Sequence, residues 1–216
     1  MKTQIRILGI DDSPFKFRDK KAVAVGAIVR VPNYLEGVMK TEVTVDGTDS
    51  TKMLIEMVSR SRYRDQIKVV MLDGIALAGF NVIDLNELHT ALGMPVLTVT
   101  RDRPDMEKMK AALMKHFDDW RERYALITKL ELREIPTEHN PLFGCGLGLD
   151  WQEFVSLVSL STVRGVVPNH SGWHISSPPP SSVESPTVAL DCSDGKCNIC
   201  VTAISCDEGT RAGVST

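Results

Sequence analysis

Three absences bound what this sequence can be. No run approaches the ~20 consecutive apolar residues that a membrane-spanning helix requires, so no spanning protein of that kind is expected. The opening stretch MKTQIRILGIDD turns acidic too soon for a secretory signal, and a cytoplasmic location is expected. There is no excess of one charge either, with 25 Lys and Arg against 28 Asp and Glu. That excludes a protein that coats nucleic acid by bulk electrostatics, and any nucleic-acid partner would be held by local contacts.

Cysteine is almost missing from most of the chain. Cys145 stands alone in the first 168 residues, and the other four lie between Cys192 and Cys206. Their spacing, Cys192-x4-Cys197-x2-Cys200-x5-Cys206, matches no common zinc or iron–sulfur ligation pattern. The glycine-rich run Gly144-Cys145-Gly146-Leu147-Gly148 lacks the Lys-Ser/Thr of a phosphate-binding loop and reads as a flexible turn.

What is present is globular in composition, 43% hydrophobic and 25% charged. The length suits one domain with an appendage. Residues 1–168 alternate apolar runs with turn signals, whereas 169–216 are rich in serine and proline and have almost no apolar periodicity. The domain boundary is therefore placed near Pro168, with an irregular tail beyond it.

Within the body, residues 4–10, 22–31 and 35–45 read as three strands in an antiparallel meander. Met53, Leu54, Met57 and Val58 have helical spacing, and Thr48 or Asp49 is a plausible N-cap. A buried strand over 67–72 ends at Asp73-Gly74, and a helix over 84–92 puts Leu85, Leu88 and Leu92 on one face. A strand from Pro95 ends at Arg101, a helix follows from Met106, and another spans roughly 151–161. The methionines at 53, 57, 106 and 109 read as core packing. Antiparallel strands followed by strand–helix alternation make a mixed α/β sheet with helices on its faces, in the order of the ribonuclease H-like fold.

The first strand ends at Asp11 and the fourth at Asp73. Sites in open sheets lie beyond the carboxyl ends of parallel strands, so neighbouring positions for these strands would bring two carboxylates together. Two such groups repel unless a cation sits between them, and Mg²⁺ or Mn²⁺ suits oxygen ligands and phosphodiester chemistry. Asp49 or Asp12 could supply a third carboxylate. The same residues are also ordinary turn formers. Arg60, Arg62 and Arg64, with Tyr63, could form a basic rim for phosphate if the fold carried them near Arg101 and Arg103, or a solvated helix end if not.

The stretches GIDDSPF, TVDGTDSTKML, VVMLDGIALAGFNVIDL, GMPVLTVTRDRPD and STVRGVVP together resemble an archaeal family catalogued as domain of unknown function ninety-nine, over residues 5 to 168. That family is a relative of endonuclease V, a metal-dependent nuclease. The resemblance implies Asp11 and Asp73 as metal ligands and catalytic residues, Asp49 as a third ligand, and Asp12 and Arg101 near substrate. Asp49 stands where endonuclease V has a longer glutamate. The wedge motif of endonuclease V has no match here, and no histidine falls at Cys145–Gly148, with His139 and His170 off register. The implied function is Mg²⁺- or Mn²⁺-dependent hydrolysis of nucleic-acid phosphodiesters. The alternative is an inactive domain that keeps the carboxylate pocket to bind nucleic acid or a partner.

The tail carries a further expectation. If Pro168 onward is written CCG AAC CAC TCC GGG TGG CAC ATC and so on, restoring one G after CCG opens a neighbouring frame. It reads PEPLRVAHLIASAVVRGESHGRA and then a stop. The segment EPLRVAHLIAS is amphipathic and resembles the PEPxRxAH segment near the C-terminus of endonuclease V. Residues 169–216 are thus expected to be out-of-frame translation, with an intended end at position 190.

Overall fold

A computed structural model of the chain describes residues 4–161, apart from 17, 33, 130, 138 and 139, together with two strands at 188–191 and 198–201. His139, His170, most of STVRGVVP, three of the four tail cysteines and most of 169–216 lie outside the described residues. Within the tail, Val188–Asp191 pairs antiparallel with Asn198–Val201.

The first three strands are β1 (Arg6–Asp12), β2 (Lys21–Arg30) and β3 (Tyr34–Thr44), and they form the expected antiparallel meander. Helix α1 (Ser50–Ser59) leads into β4 (Val69–Asp73), which lies beside β1 and parallel to it. A small hairpin, β5 (Ala76–Leu77) and β6 (Asn81–Val82), precedes α2 (Leu85–Leu92) and β7 (Val96–Thr100). Strand β7 is parallel to β4. Helices α3 (Met106–His116) and α4 (Trp120–Thr128) follow, then β8 (Arg133–Ile135), β9 (Leu142–Leu147) and α5 (Trp151–Ser161). The sheet order is β3-β2-β1-β4-β7-β9-β8. A meander whose first strand lies beside two parallel strands is the ribonuclease H-like arrangement, as the element order implied.

Strand β4 is apolar on both faces because both are covered. Leu8, Ile10, Val70 and Leu72 pack with Leu54, Val58, Leu85, Leu88 and Leu92 under α1 and α2. Ile7, Val69, Met71 and Val99 face the other way, against Phe154, Leu157 and Val158 of α5. Full burial of each such side chain contributes about 1.5–3 kcal/mol. Helices α3 and α4 pack on the hairpin through Leu113, Ile127 and Val82.

Some elements depart from the sequence reading. The glycine-rich run is strand β9, not a flexible turn. Its glycines are required by close approach: a Cβ at Gly144 would lie 2.6 Å from the Thr98 carbonyl oxygen, and one at Gly146 2.5 Å from the Leu97 side chain. Asp49 stands at the N-cap of α1 but its side chain makes no capping bond. The cap comes from across the fold, where Asn81 Oδ1 accepts the Ser50 N–H at 3.0 Å. Asp84 does cap α2, accepting from the amides of Asn86 and Glu87. Met106 and Met109 do pack, partly buried, against the Val82, Leu113 and Ile127 cluster as expected, and they also line a cavity.

Candidate functional site

In the β1–β4 ladder Ile10 stands opposite Leu72, so Asp11 and Asp73 follow at the next level of two adjacent parallel strands. Both strands end here, at the carboxyl edge of the sheet. The sequence-expected juxtaposition is thus present. Asp73 is partly buried, and its carboxyl is pushed up to about 7. Burial is the main cause, the negative charges of Asp11 and Asp12 add to it, and the Arg101 guanidinium opposes it. Asp11 is steadied from its own strand, its Oδ1 accepting the Asp12 N–H at 2.8 Å.

Asp49 does not join this group. Its Oδ1 accepts from the Thr44 amide at 3.0 Å and from Asn81 Nδ2 at 2.7 Å. Its Oδ2 accepts from the Thr44 hydroxyl at 2.6 Å and lies 3.7 Å from Lys21 Nζ. Burial raises its pKa, but these hydrogen bonds and Lys21 together hold it below the usual carboxylate value. It is a brace between β3 and α1. Among the described residues no three His, Cys, Asp or Glu side chains converge closely enough to hold a metal.

Two carboxylates still fit one class of ion. Mg²⁺, and Mn²⁺ like it, is commonly held by one or two protein carboxylates and completes its shell with water and substrate phosphate. A half-buried carboxyl whose pKa burial, and then two neighbouring acids, push up to about 7 is a site short of positive charge. Asp11 and Asp73 would be the ligands.

The Asp73–Gly74 turn is tightly specified. Gly74 has φ +75°, its N–H donates to the Val99 carbonyl, and its own carbonyl accepts the Thr98 hydroxyl at 2.6 Å. Behind this turn opens a cavity of about 460 Å³, between β7, the hairpin and helices α3 and α4. Ile75, Met106, Met109 and Leu132 give it an apolar wall, while Thr98, Thr100, Thr128 and Glu131 supply polar groups. Sequence reasoning missed this chamber, because its lining is gathered from Gly74 to Cys145 and no local spacing marks it.

The arginine rim is not at this edge. Helix α1 runs back along the sheet, so its end lies by the starts of β4 and β7. There Arg64 donates to the Leu92 carbonyl, and the Tyr63 hydroxyl donates to the Glu36 carbonyl. Arg60, Arg62 and Arg64 are therefore at the opposite edge from Arg101 and Arg103. No helix of the described residues is long and apolar enough to cross a membrane.

Residues 3–170 match the profile of a family described as "Endonuclease dU". A UPF0215 protein of Methanothermobacter thermautotrophicus is 41% identical over 169 residues, covering 78% of this chain and 83% of its own. One from Methanosarcina barkeri is 38% identical over 169 residues, covering 78% and 86%. Among solved structures, a protein of unknown function from Archaeoglobus fulgidus DSM 4304 is similar at TM-score 0.68 and 36% identity, over 76% of this chain and 91% of that one. Human ENDOV reaches TM-score 0.46 at 13% identity, over 72% and 75%, too distant to argue from.

Proposed function

Because the chain belongs to the endonuclease dU family, we propose that it is a divalent-metal-dependent phosphodiesterase that cuts nucleic acid at deoxyuridine. The observation that carries this reading is the Asp11–Asp73 pair at the strand ends, with Gly74, the residue after Asp73, lining a chamber large enough for a nucleobase. Asp11 and Asp73 would hold Mg²⁺ or Mn²⁺. When bound, such an ion supplies Lewis-acid stabilisation of the charge that develops on the phosphodiester. Arg101, already close enough for its charge to act on Asp73, would hold the phosphate.

The chamber receives the base. Enzymes that act on one nucleotide extrude it from the stack, at a cost of a few kcal/mol that is smallest for a mispaired base. The apolar wall accepts the faces of a pyrimidine ring, and the threonines and Glu131 offer partners to its polar edge.

One observation favours a second reading, a binding domain without catalysis: Asp49, which stands where endonuclease V has its glutamate, is fully engaged in bracing β3 and α1. A uracil-containing oligonucleotide incubated with the protein and Mn²⁺ separates the two. Cleavage by wild type that disappears in Asp73→Asn supports the hydrolase. Tight binding of the same oligonucleotide with no cleavage in Mg²⁺ or Mn²⁺ supports the binding domain.

A further inference from the structure

The two acids that end β1 point to different tasks. Side chains alternate across a strand. Ile7 belongs to the layer under α5, whereas Leu8 and Ile10 belong to the layer under α1 and α2. Continuing that alternation puts Asp11 in the α5-side row, where Met71 and then Asp73 also lie in β4. Asp12 falls in the other row, and Ala78, its bonding partner, is part of that same core. Asp12 Oδ2 accepts the Ala78 N–H at 2.6 Å.

Ala78 is an unusual residue to find there. It is fully buried and has φ +49°, a left-handed conformation that costs a residue with a Cβ of order 1 kcal/mol. The residues after it are held too. Asp46 donates its N–H to the Ala78 carbonyl and accepts the Phe80 N–H at 2.8 Å. Asn81, fully buried, donates to the Thr44 carbonyl and to Asp49. The hairpin that carries Ala78 also supplies Ile75 and Ala76 to the cavity wall, directly after Asp73 and Gly74.

We infer that Asp12 is a positioning residue that clamps the 74–83 hairpin through Ala78 and so fixes the cavity wall that follows Asp73, and that it is not a ligand of the metal. The kinetic part of this inference rests on the hydrolase reading above; the structural part does not. An asparagine at 12 keeps an oxygen that can accept the Ala78 N–H, while an alanine does not.

The test compares wild type, Asp12→Asn, Asp12→Ala and Asp11→Asn by three measurements. Amide hydrogen exchange at Ala78 should accelerate at least ~10-fold in Asp12→Ala and stay near wild type in Asp12→Asn. Mn²⁺ binding by calorimetry should be lost in Asp11→Asn and change less than about 3-fold in Asp12→Asn. With a uracil-containing oligonucleotide, Asp12→Ala should raise KM about 10-fold with kcat nearly unchanged, and Asp12→Asn should restore KM. Loss of Mn²⁺ binding in Asp12→Asn, or unchanged Ala78 exchange in Asp12→Ala, overturns the inference. If Asp12→Ala does not fold, Asp12→Asn decides alone: retained exchange protection with retained Mn²⁺ binding supports the clamp, and loss of either refutes it. A wild type that binds no Mn²⁺ and cuts nothing defeats the hydrolase reading, and the exchange data then still judge the clamp.

Discussion

The two edges of the central sheet handle charge in opposite ways. At the edge where β1, β4 and β7 begin, charges are neutralised within the fold. Glu36 is gripped by Arg6 and lies 3.2 Å from Arg30, whose guanidinium also stacks on Tyr34 at 4.6 Å. Arg62 lies over Tyr63 at 4.8 Å and Arg60 pairs with Glu56. At the edge where those strands end, Asp11, Asp12 and Asp73 crowd together with Arg101 opposing them. Arginine clusters satisfied by their own neighbours are architecture. Like charges held together against their repulsion are what the proposed cation would relieve.

The largest expected effect breaks the crowded edge. Asp11→Asn or Asp73→Asn should lower Mn²⁺-dependent cleavage of a uracil-containing strand by on the order of 10³-fold or more, as loss of a metal ligand does. Neither substitution should unfold the protein. Asn at 73 removes a carboxyl that burial and two neighbouring acids oppose, so without metal at pH 8 the variant should be more stable than wild type by about 1–3 kcal/mol. Thermal melting in a chelator checks this, and a lower melting temperature would falsify the account of Asp73.

Next in size is the break at the opposite edge. Glu36→Ala strips two partly buried arginines of their partner and should cost about 1–3 kcal/mol in denaturant unfolding. Cleavage should stay within about twofold of wild type, because nothing at this edge touches the site. The two edges then separate cleanly, one losing activity without stability and the other stability without activity. A cleavage loss in Glu36→Ala that outlasts correction for the folded fraction would show that the edges are coupled.

The pH dependence sharpens the same contrast. Asp73 has a folded-state pKa of about 7, raised above the ordinary carboxylate value. Between those two values the folded protein binds a proton that the unfolded chain releases. Its stabilising contribution is complete at acid pH and is lost as pH rises through about 7. Wild type in chelator should therefore lose stability relative to Asp73→Asn across that window. Saturating Mn²⁺ should reduce the difference, since a bound cation favours the ionised pair. A flat difference between pH 4 and 8 would mean that Asp73 titrates in the folded protein as it does in the unfolded chain.

How much of this was legible beforehand follows the range of the interactions. The strand-end acids, the meander and four of the five helices announce themselves through local periodicity and turn chemistry. Strand β9 did not, because its glycines serve contacts with Thr98, Leu97 and Phe154 rather than any propensity of their own. Helix α4 was hidden by its inward-facing Arg123, which donates to the carbonyls of Gly47 and Phe80, 76 and 43 residues away. The sequence shows Asp49 and its neighbours, not the Thr44 and Asn81 groups that engage its carboxylate. The out-of-frame reading of residues 169–216 is a proposal still, and sequencing the source DNA decides it. An uninterrupted frame through Cys192 to Cys206 refutes it.

The smallest effect expected is at the exposed arginines. The basic-rim idea needed Arg60 and Arg62 beside Arg101, and the fold sets them at the far edge. Strand β1 alone, seven residues rising roughly 3.3 Å from each to the next, separates the edges by about 20 Å. Replacing both with alanine should alter stability by no more than about 0.5 kcal/mol, since exposed ion pairs contribute little. A short uracil-containing oligonucleotide should bind with an unchanged dependence on salt, because taking one cationic side chain away from a bound phosphate would flatten that slope by about 0.7–0.9. A flatter slope in the double variant would mean that the strand wraps from the carboxylates to this edge. The self-sufficiency of the arginine cluster would then be only the resting arrangement of a second binding surface.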